Sequence, residues 1–359
     1  MKSTIVALSA LALAICSISL QADSLRDIYE LALENDAQLK AEEAVYLARR
    51  ETENLGRSAL LPQVGTGYSY RGSDTDVDGQ FRAPNIGTVK TTSNTDIDTD
   101  GYSVSLNQAL FDLPAWFEFK SGKEVTKEAE ATFASNQQNL IVRVVEAYLL
   151  VLRAQDNLSA SRAQERAFER QLEQTQQRFE VGLIAITDVY EAPRDLAQVS
   201  RLVDENNVSV ALERVSVLTG QSASNLNILK EDFEIRPPDP IDRAAWVDFS
   251  LTNNFLLKAA NYREEAARQS AKANRLEHAP KVRGGYEYSD FSTSGSRSVK
   301  PDTGFVSSPD QDTEEHAWVI SVDLPLYSGG AISANRRAAA QEFNAAREER
   351  INLSRNIVT

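Results

Sequence analysis

Apolar residues keep three different periods along the chain. From Leu25 to Arg57, and again from about Asp242 to Glu277, they recur at helical spacing in segments rich in Ala, Glu, Arg and Leu. Each segment is predicted to be one amphipathic helix. Pro62 and Pro280 end these helices, because proline has no N–H to donate and biases its predecessor toward extended backbone. The period then falls to two. Val64, Thr66, Tyr68 and Tyr70 alternate with Gly65, Gly67, Ser69 and Arg71, and Tyr102, Val104 and Leu106 with Ser103, Ser105 and Asn107. A second set follows in Val282, Gly284, Tyr286 and Tyr288, then Trp318, Ile320, Val322 and Leu324. Runs of about ten residues with one aromatic-bearing apolar face and one small polar face fit tilted strands that cross a bilayer. The same alternation also fits a soluble antiparallel sheet packed on helices, and the strands alone leave both readings open.

The third pattern starts near Ala115. Ile141, Val145, Tyr148 and Leu152 step by four, three and four, and Phe168, Leu172, Thr175 and Phe179 repeat the step. This predicts an apolar seam of period near 3.5 on a helix reaching Glu180. A helix of about 65 residues is roughly 97 Å long at 1.5 Å per residue. It breaks at Val181-Gly182-Leu183, where Gly182 suits a left-handed turn. A second helix runs from about Thr187 to Leu218, with Val189, Leu196, Val203, Val210 and Val217 every seventh residue and Pro193 inside it. The result is an antiparallel hairpin whose tip lies at Gly182. Its seams need lateral partners, either a ring of hairpins or a coiled-coil mate.

The chain also repeats itself. Leu33-Glu34-Asn35-Asp36 and Leu39-Lys40-Ala41 recur as Leu251-Thr252-Asn253-Asn254 and Leu257-Lys258-Ala259, an offset of 218 residues. In the same register Pro62, Val64, Gly67, Tyr68 and Tyr70 meet Pro280, Val282, Gly285, Tyr286 and Tyr288. After a loop of nearly equal length, Tyr102, Val104, Leu106, Leu110 and Phe111 meet Trp318, Ile320, Val322, Leu326 and Tyr327. Three blocks in the same order, with a shift of only two residues across the loop, indicate duplication. The expected division is a signal peptide over 1–22, a first repeat over 23–240 (helix, strand pair, long hairpin) and an incomplete second repeat over 241–359. A second repeat as long as the first would reach about residue 460, so about a hundred residues, including a second hairpin tip, are expected to be missing.

Composition narrows the function. Lys2, the apolar run Ile5–Leu20 and small residues near Ala22 make a secretory signal cleaved after Ala22. An uncleaved anchor, or a lipoprotein acylated at Cys16, are the alternatives. Cys16 is the single cysteine, so cleavage leaves none for disulfides, metal binding or nucleophilic chemistry. The net charge of −14 opposes a nucleic-acid partner. The segments Ser73–Asp100 and Ser292–Glu315 are expected to be long acidic rim loops, with no EF-hand spacing for calcium. His278 and His316 are the two histidines, and no nucleophile elbow, phosphate loop or zinc motif accompanies them. No enzyme, no cofactor and no metal is expected, and His278 reads as a structural residue at a helix-to-strand corner.

The tip segment Gln177-Arg178-Phe179-Glu180-Val181-Gly182-Leu183-Ile184-Ala185-Ile186-Thr187-Asp188-Val189 resembles that of the TolC family of outer-membrane efflux and secretion ducts. Leu60-Leu61-Pro62-Gln63 and Leu324-Pro325-Leu326-Tyr327-Ser328-Gly329-Gly330 carry the likeness along the chain. The resemblance implies an α+β membrane protein, internally duplicated, with outer-membrane β-barrel strands and long helical hairpins forming a periplasmic α-barrel. It implies a homotrimer in outer-membrane lipid that works with a periplasmic adaptor (membrane fusion protein) and an inner-membrane transporter. Drug efflux or type I protein secretion is the implied task. Val181, Gly182 and Leu183 match the tip that meets the adaptor. Thr187 and Asp188 match residues that hold the periplasmic entrance closed, although a helix N-cap alone would also favour them. The alternative is a periplasmic coiled-coil scaffold or adaptor that never inserts.

Overall fold

A computed structural model describes residues 24–83, 87–185, 189, 194–223, 226–229, 236–237, 239–300 and 309–358. In chain order its elements are α1 (Leu25–Asn35), α2 (Ala37–Ser58), β1 (Gln63–Ala83), β2 (Gly87–Phe111), α3 (Leu113–Glu180), α4 (Arg194–Thr219), α5 (Arg243–Asn253), α6 (Phe255–Arg275), β3 (Lys281–Lys300), β4 (Gln311–Asp323) and α7 (Ala331–Val358). The run α1–α2–β1–β2–α3 recurs as α5–α6–β3–β4–α7, so the duplication read from the residues is a duplication of structure.

The first helix of each copy is not continuous. Ser24 and Asp27 form a capping box that starts α1. At Asp36 the backbone turns extended (φ −60°, ψ 113°) and α2 begins. Asn254, one repeat later, does the same between α5 and α6 (φ −61°, ψ 119°). Each offers a side-chain oxygen to a following N–H, Asp36 to Gln38 and Asn254 to Leu257, which is how such residues start helices. The apolar period carries across the break, so periodicity alone joined two helices into one.

Two compact units cut across the repeats: Met1–Val45 with Phe133–Arg243, and Tyr46–Thr132 with Ala244–Thr359. The first is centred on Ile28, Leu140, Val144, Val151 and Val215, drawn from α1, α3 and α4 and all at most 1% exposed. The buried stripe of α3 therefore runs through Leu140, Val144, Tyr148 and Val151, one residue from the predicted seam at its start, and Ile141 is exposed. On α4 the buried apolar residues are Ala197, Ala211, Val215 and Leu218, while Val203, Val210 and Val217 of the seven-residue series stay exposed. Two apolar stripes share α4, and the more regular one in sequence is not the one the hairpin uses.

In the second unit small residues let helices approach closely. A Cβ on Gly122 of α3 would lie 2.8 Å from the Thr52 carbonyl oxygen of α2, and one on Gly56 would lie 3.0 Å from the Phe119 Cα. Close packing thus explains a glycine inside a long helix. Ser121 donates to the Ala266 carbonyl at 3.0 Å, and Ala259, Ala266, Ala339 and Ala346 are buried on α6 and α7.

The four strands form one antiparallel sheet in the order β1-β2-β3-β4. They are 21, 25, 20 and 13 residues long, and the first three run well beyond the expected bilayer-length runs. Most of Ser73–Asp100 and much of Ser292–Glu315, expected to be loops, are strand instead. The reason is threonine: pairs such as Thr75↔Thr95 and Thr99↔Thr293 keep the ladder going between the aspartates.

Candidate functional site

Residues directly opposed in an antiparallel ladder point to the same face. One row reads Val64↔Leu106↔Tyr286↔Trp318 and the next Thr66↔Val104↔Tyr288↔His316. Tyr68, Tyr70, Ile320 and Val322 fall on that face too, by alternation along their strands. It is open to the outside: Tyr68 is 69% exposed, Trp318 is 79% exposed, and all of β4 is exposed. An uncovered apolar sheet face of this size marks a membrane or protein contact. It rules out a sheet packed on its own helical layer, where these residues would be the buried ones. The other face presents Gly65, Gly67, Ser103, Ser105 and Gly285.

The apolar face ends in a belt of tyrosines tied to carboxylates. Tyr68 donates to Asp100 at 3.1 Å, Tyr70 to Asp98 at 2.8 Å and Tyr288 to Glu314 at 3.2 Å. Tyr102 and Tyr288 hold their rings 5.9 Å apart. Tyrosine with an apolar body and a wet hydroxyl belongs at the edge of a hydrocarbon layer. Past the belt the same face carries Asp74, Asp76, Asp78 and Asp96, with Asn94 bonding both Asp74 and Asp76. The sequence hid this order, because acidic residues spaced by threonine read as loop.

At the far end of α3 the helix closes with a Schellman turn. Gly182 sits at φ +75°, the Leu183 N–H bonds the Arg178 carbonyl at 2.9 Å, and the Gly182 N–H bonds that of Phe179 at 2.8 Å. Val181 and Leu183 flank the glycine, each 70% exposed. Thr187 and Asp188, the two candidate entrance residues, and Pro193 lie outside the described residues. Part-way along the hairpin Arg201 bridges Glu165 at 2.8 Å and Glu205 at 2.7 Å, and Arg162 also reaches Glu205 at 3.0 Å. The bonds from Arg162 and then Arg201 hold the Glu205 carboxyl below its ordinary value, and Glu205 and Glu165 raise that of Arg201. His278 donates from Nδ1 to the Pro325 carbonyl (3.2 Å), a structural tie at its corner.

A family model described as outer membrane efflux protein matches residues 28–221 and 246–358. The chain belongs to the outer membrane efflux protein family. Among relatives of this family member, the outer membrane protein TolC of Vibrio cholerae is 30% identical over 353 residues, 97% of this chain and 75% of that protein. The alkaline protease secretion protein AprF of Pseudomonas aeruginosa is 33% identical over 325 residues, 89% of this chain and 64% of its own length. The chain thus spans about two thirds to three quarters of these relatives. The fold is that of solved outer-membrane proteins: VceC of Vibrio cholerae matches with a TM-score of 0.69 at 17% identity, covering 92% of this chain and 75% of that one. The Campylobacter jejuni CmeC outer membrane channel matches at 0.68 and 15% identity, covering 92% and 67%. This efflux-family chain is accordingly an α+β outer-membrane protein with long helices that extend into the periplasm.

Proposed function

We propose that this family member is one subunit of a passive exit duct in the outer membrane, serving efflux, type I protein secretion or both. The observation that carries the reading is the sheet: one uncovered apolar face bounded by a tyrosine belt, one small polar face, and two outer strands with open edges. Open edges of this length are a hazard unless they are paired. Three copies would supply twelve strands, pair every edge and put the apolar face in lipid and the polar face around water. The unused stripe Val203, Val210 and Val217 would be covered by neighbouring hairpins in the same trimer.

The tip Val181-Gly182-Leu183 would dock a periplasmic adaptor, which links the duct to an energised inner-membrane transporter. Thr187 and Asp188 would hold the entrance closed, and residues 1–22 would be removed on export. No catalytic step or cofactor belongs to this role. Membrane fractionation and heat-modifiable electrophoretic migration test it: the chain should be found in the outer membrane and should migrate differently when boiled. Recovery in the soluble periplasmic fraction would overturn it in favour of a scaffold that never inserts.

A further inference from the structure

Beyond the tyrosine belt the two faces of the sheet differ in charge as well as in polarity. The six aspartates from Asp74 to Asp100 all share the face of Tyr68 and Tyr70, as the pairs Asp74↔Asp96 and Tyr70↔Asp100 require. The opposite face carries bases. Arg71 lies in the row Arg71↔Thr99↔Thr293↔Gln311, and Arg297 in the row Thr75↔Thr95↔Arg297. Arg297 donates from Nε to the Ser93 hydroxyl at 3.2 Å, and Ser93 lies on that same face opposite Val77 and Val299. Past the row of Tyr70 no carboxylate in the described strands points to this side. The carboxylates of the described strands that do, Glu287, Glu315 and Asp323, are paired with Ser105, Ser289 and Lys281 deeper in the sheet, at or below the level of the apolar band.

We infer that Arg71 and Arg297 line the outer mouth of the duct as a cationic ring that favours anionic solutes leaving it. The inference rests on the duct reading, which makes the small polar face the lumen. The strands join the helices at their other ends, so their hairpin ends are the outer mouth. Rings of like charge set the ion preference of a pore because they raise the local concentration of counter-ions. Turning these six aspartates outward leaves the arginine field uncompensated by them inside, and three copies would present six arginines there.

Reversal potentials across planar bilayers under a KCl gradient near 0.1 M test the assignment. The full chain, R71Q/R297Q, R71K/R297K and D76N/D98N would be compared, each first checked for assembly by heat-modifiable migration. The glutamine pair should lower the chloride-to-potassium permeability ratio by about twofold or more, the lysine pair should keep it, and the outward-facing asparagine pair should leave it unchanged. The difference should fade near 1 M salt, where the screening length is about 3 Å. A conducting R71Q/R297Q channel with the unaltered ratio overturns the inference, as does a larger shift in D76N/D98N. Bilayer-inserted chain that never conducts overturns the duct reading itself.

Discussion

Arg143 of α3 donates to the carboxylate of Asp36, the residue at which α1 gives way to α2, and its other terminal nitrogen bonds the Gln38 amide oxygen at 2.9 Å. The Asp36 side chain is 5% exposed and that of Arg143 29%. One carboxylate therefore caps a helix and neutralises a half-buried guanidinium beside the core of its unit. Removing one partner of a buried pair costs about 3–5 kcal/mol because the other charge stays behind; water reaching Arg143 reduces this to roughly 2–3 kcal/mol. Asp36→Ala should lose that stability in urea unfolding followed by far-UV circular dichroism. Asp36→Asn keeps the cap, as Asn254 does in the second copy, and should lose less. Equal losses would mean that the ion pair matters and the cap does not.

The sheet makes a prediction that depends on face alone. Leu106 and Ser105 are neighbours on β2 and point to opposite sides. Arginine at the lipid-facing midplane costs about 2–4 kcal/mol, whereas a lumen substitution is mild. Leu106→Arg should therefore reduce folded, heat-modifiable protein in the outer membrane, and Ser105→Arg should leave the yield near that of the parent. The same outcome for both variants would contradict a membrane barrel.

How much was legible in the residues follows from what each signal depends on. The Val64–Tyr70 alternation and its copy at Val282–Tyr288 depend on two faces meeting different surroundings, and that survives in one dimension. The Gly182 turn was legible because a glycine after 60-odd helical residues has few other uses. The break at Asp36 was not, because a single cap residue in an unbroken apolar period is indistinguishable from a surface aspartate. The strands beyond Tyr70 were hidden for a related reason. Their stability lies in cross-strand threonine pairs such as Thr75↔Thr95, and those partners cannot be matched until the register is known. The split of α4 into a stripe buried at Ala211 and Val215 and one exposed at Val210 and Val217 depends on where α3 lies, which no period of α4 alone encodes.

The ion pairs across the hairpin give a pH dependence. The carboxyl of Glu205 is held below its ordinary 4.5, first by Arg162 and then by Arg201. A depressed carboxylate adds stability above its unfolded pKa and loses it as pH falls through the folded value. Pairing of α3 with α4 around Arg201 should thus be constant at neutral pH and weaken only below pH 4.5. Because the groups are open to solvent, the effect should be small and should shrink in high salt. Spin labels on the two helices would report it as a distance distribution that broadens as the pH is lowered below 4.5. Glu205→Gln should remove this acid-induced change; an identical response in that variant would place its source elsewhere.

The tip separates shape from chemistry. Gly182 sits at φ +75° and nothing lies within 4 Å of a Cβ built there, so a substitution meets open space and only the backbone objects. Left-handed backbone costs an L residue roughly 1–2 kcal/mol, β-branched residues tolerate it worst and asparagine best. Gly182→Val should distort the Schellman turn, reduce cross-linking to the adaptor and slow export, with insertion in the outer membrane unchanged. Gly182→Asn should retain most of both. The pair Val181→Asp and Leu183→Asp leaves the glycine in place but removes the exposed apolar flanks. If the adaptor binds the turn through those flanks, the double aspartate variant should fail as badly as Gly182→Val while its helix content stays intact. Normal export by Gly182→Val would mean that the conformation is dispensable, and normal export by the double variant would mean that the adaptor does not touch these side chains.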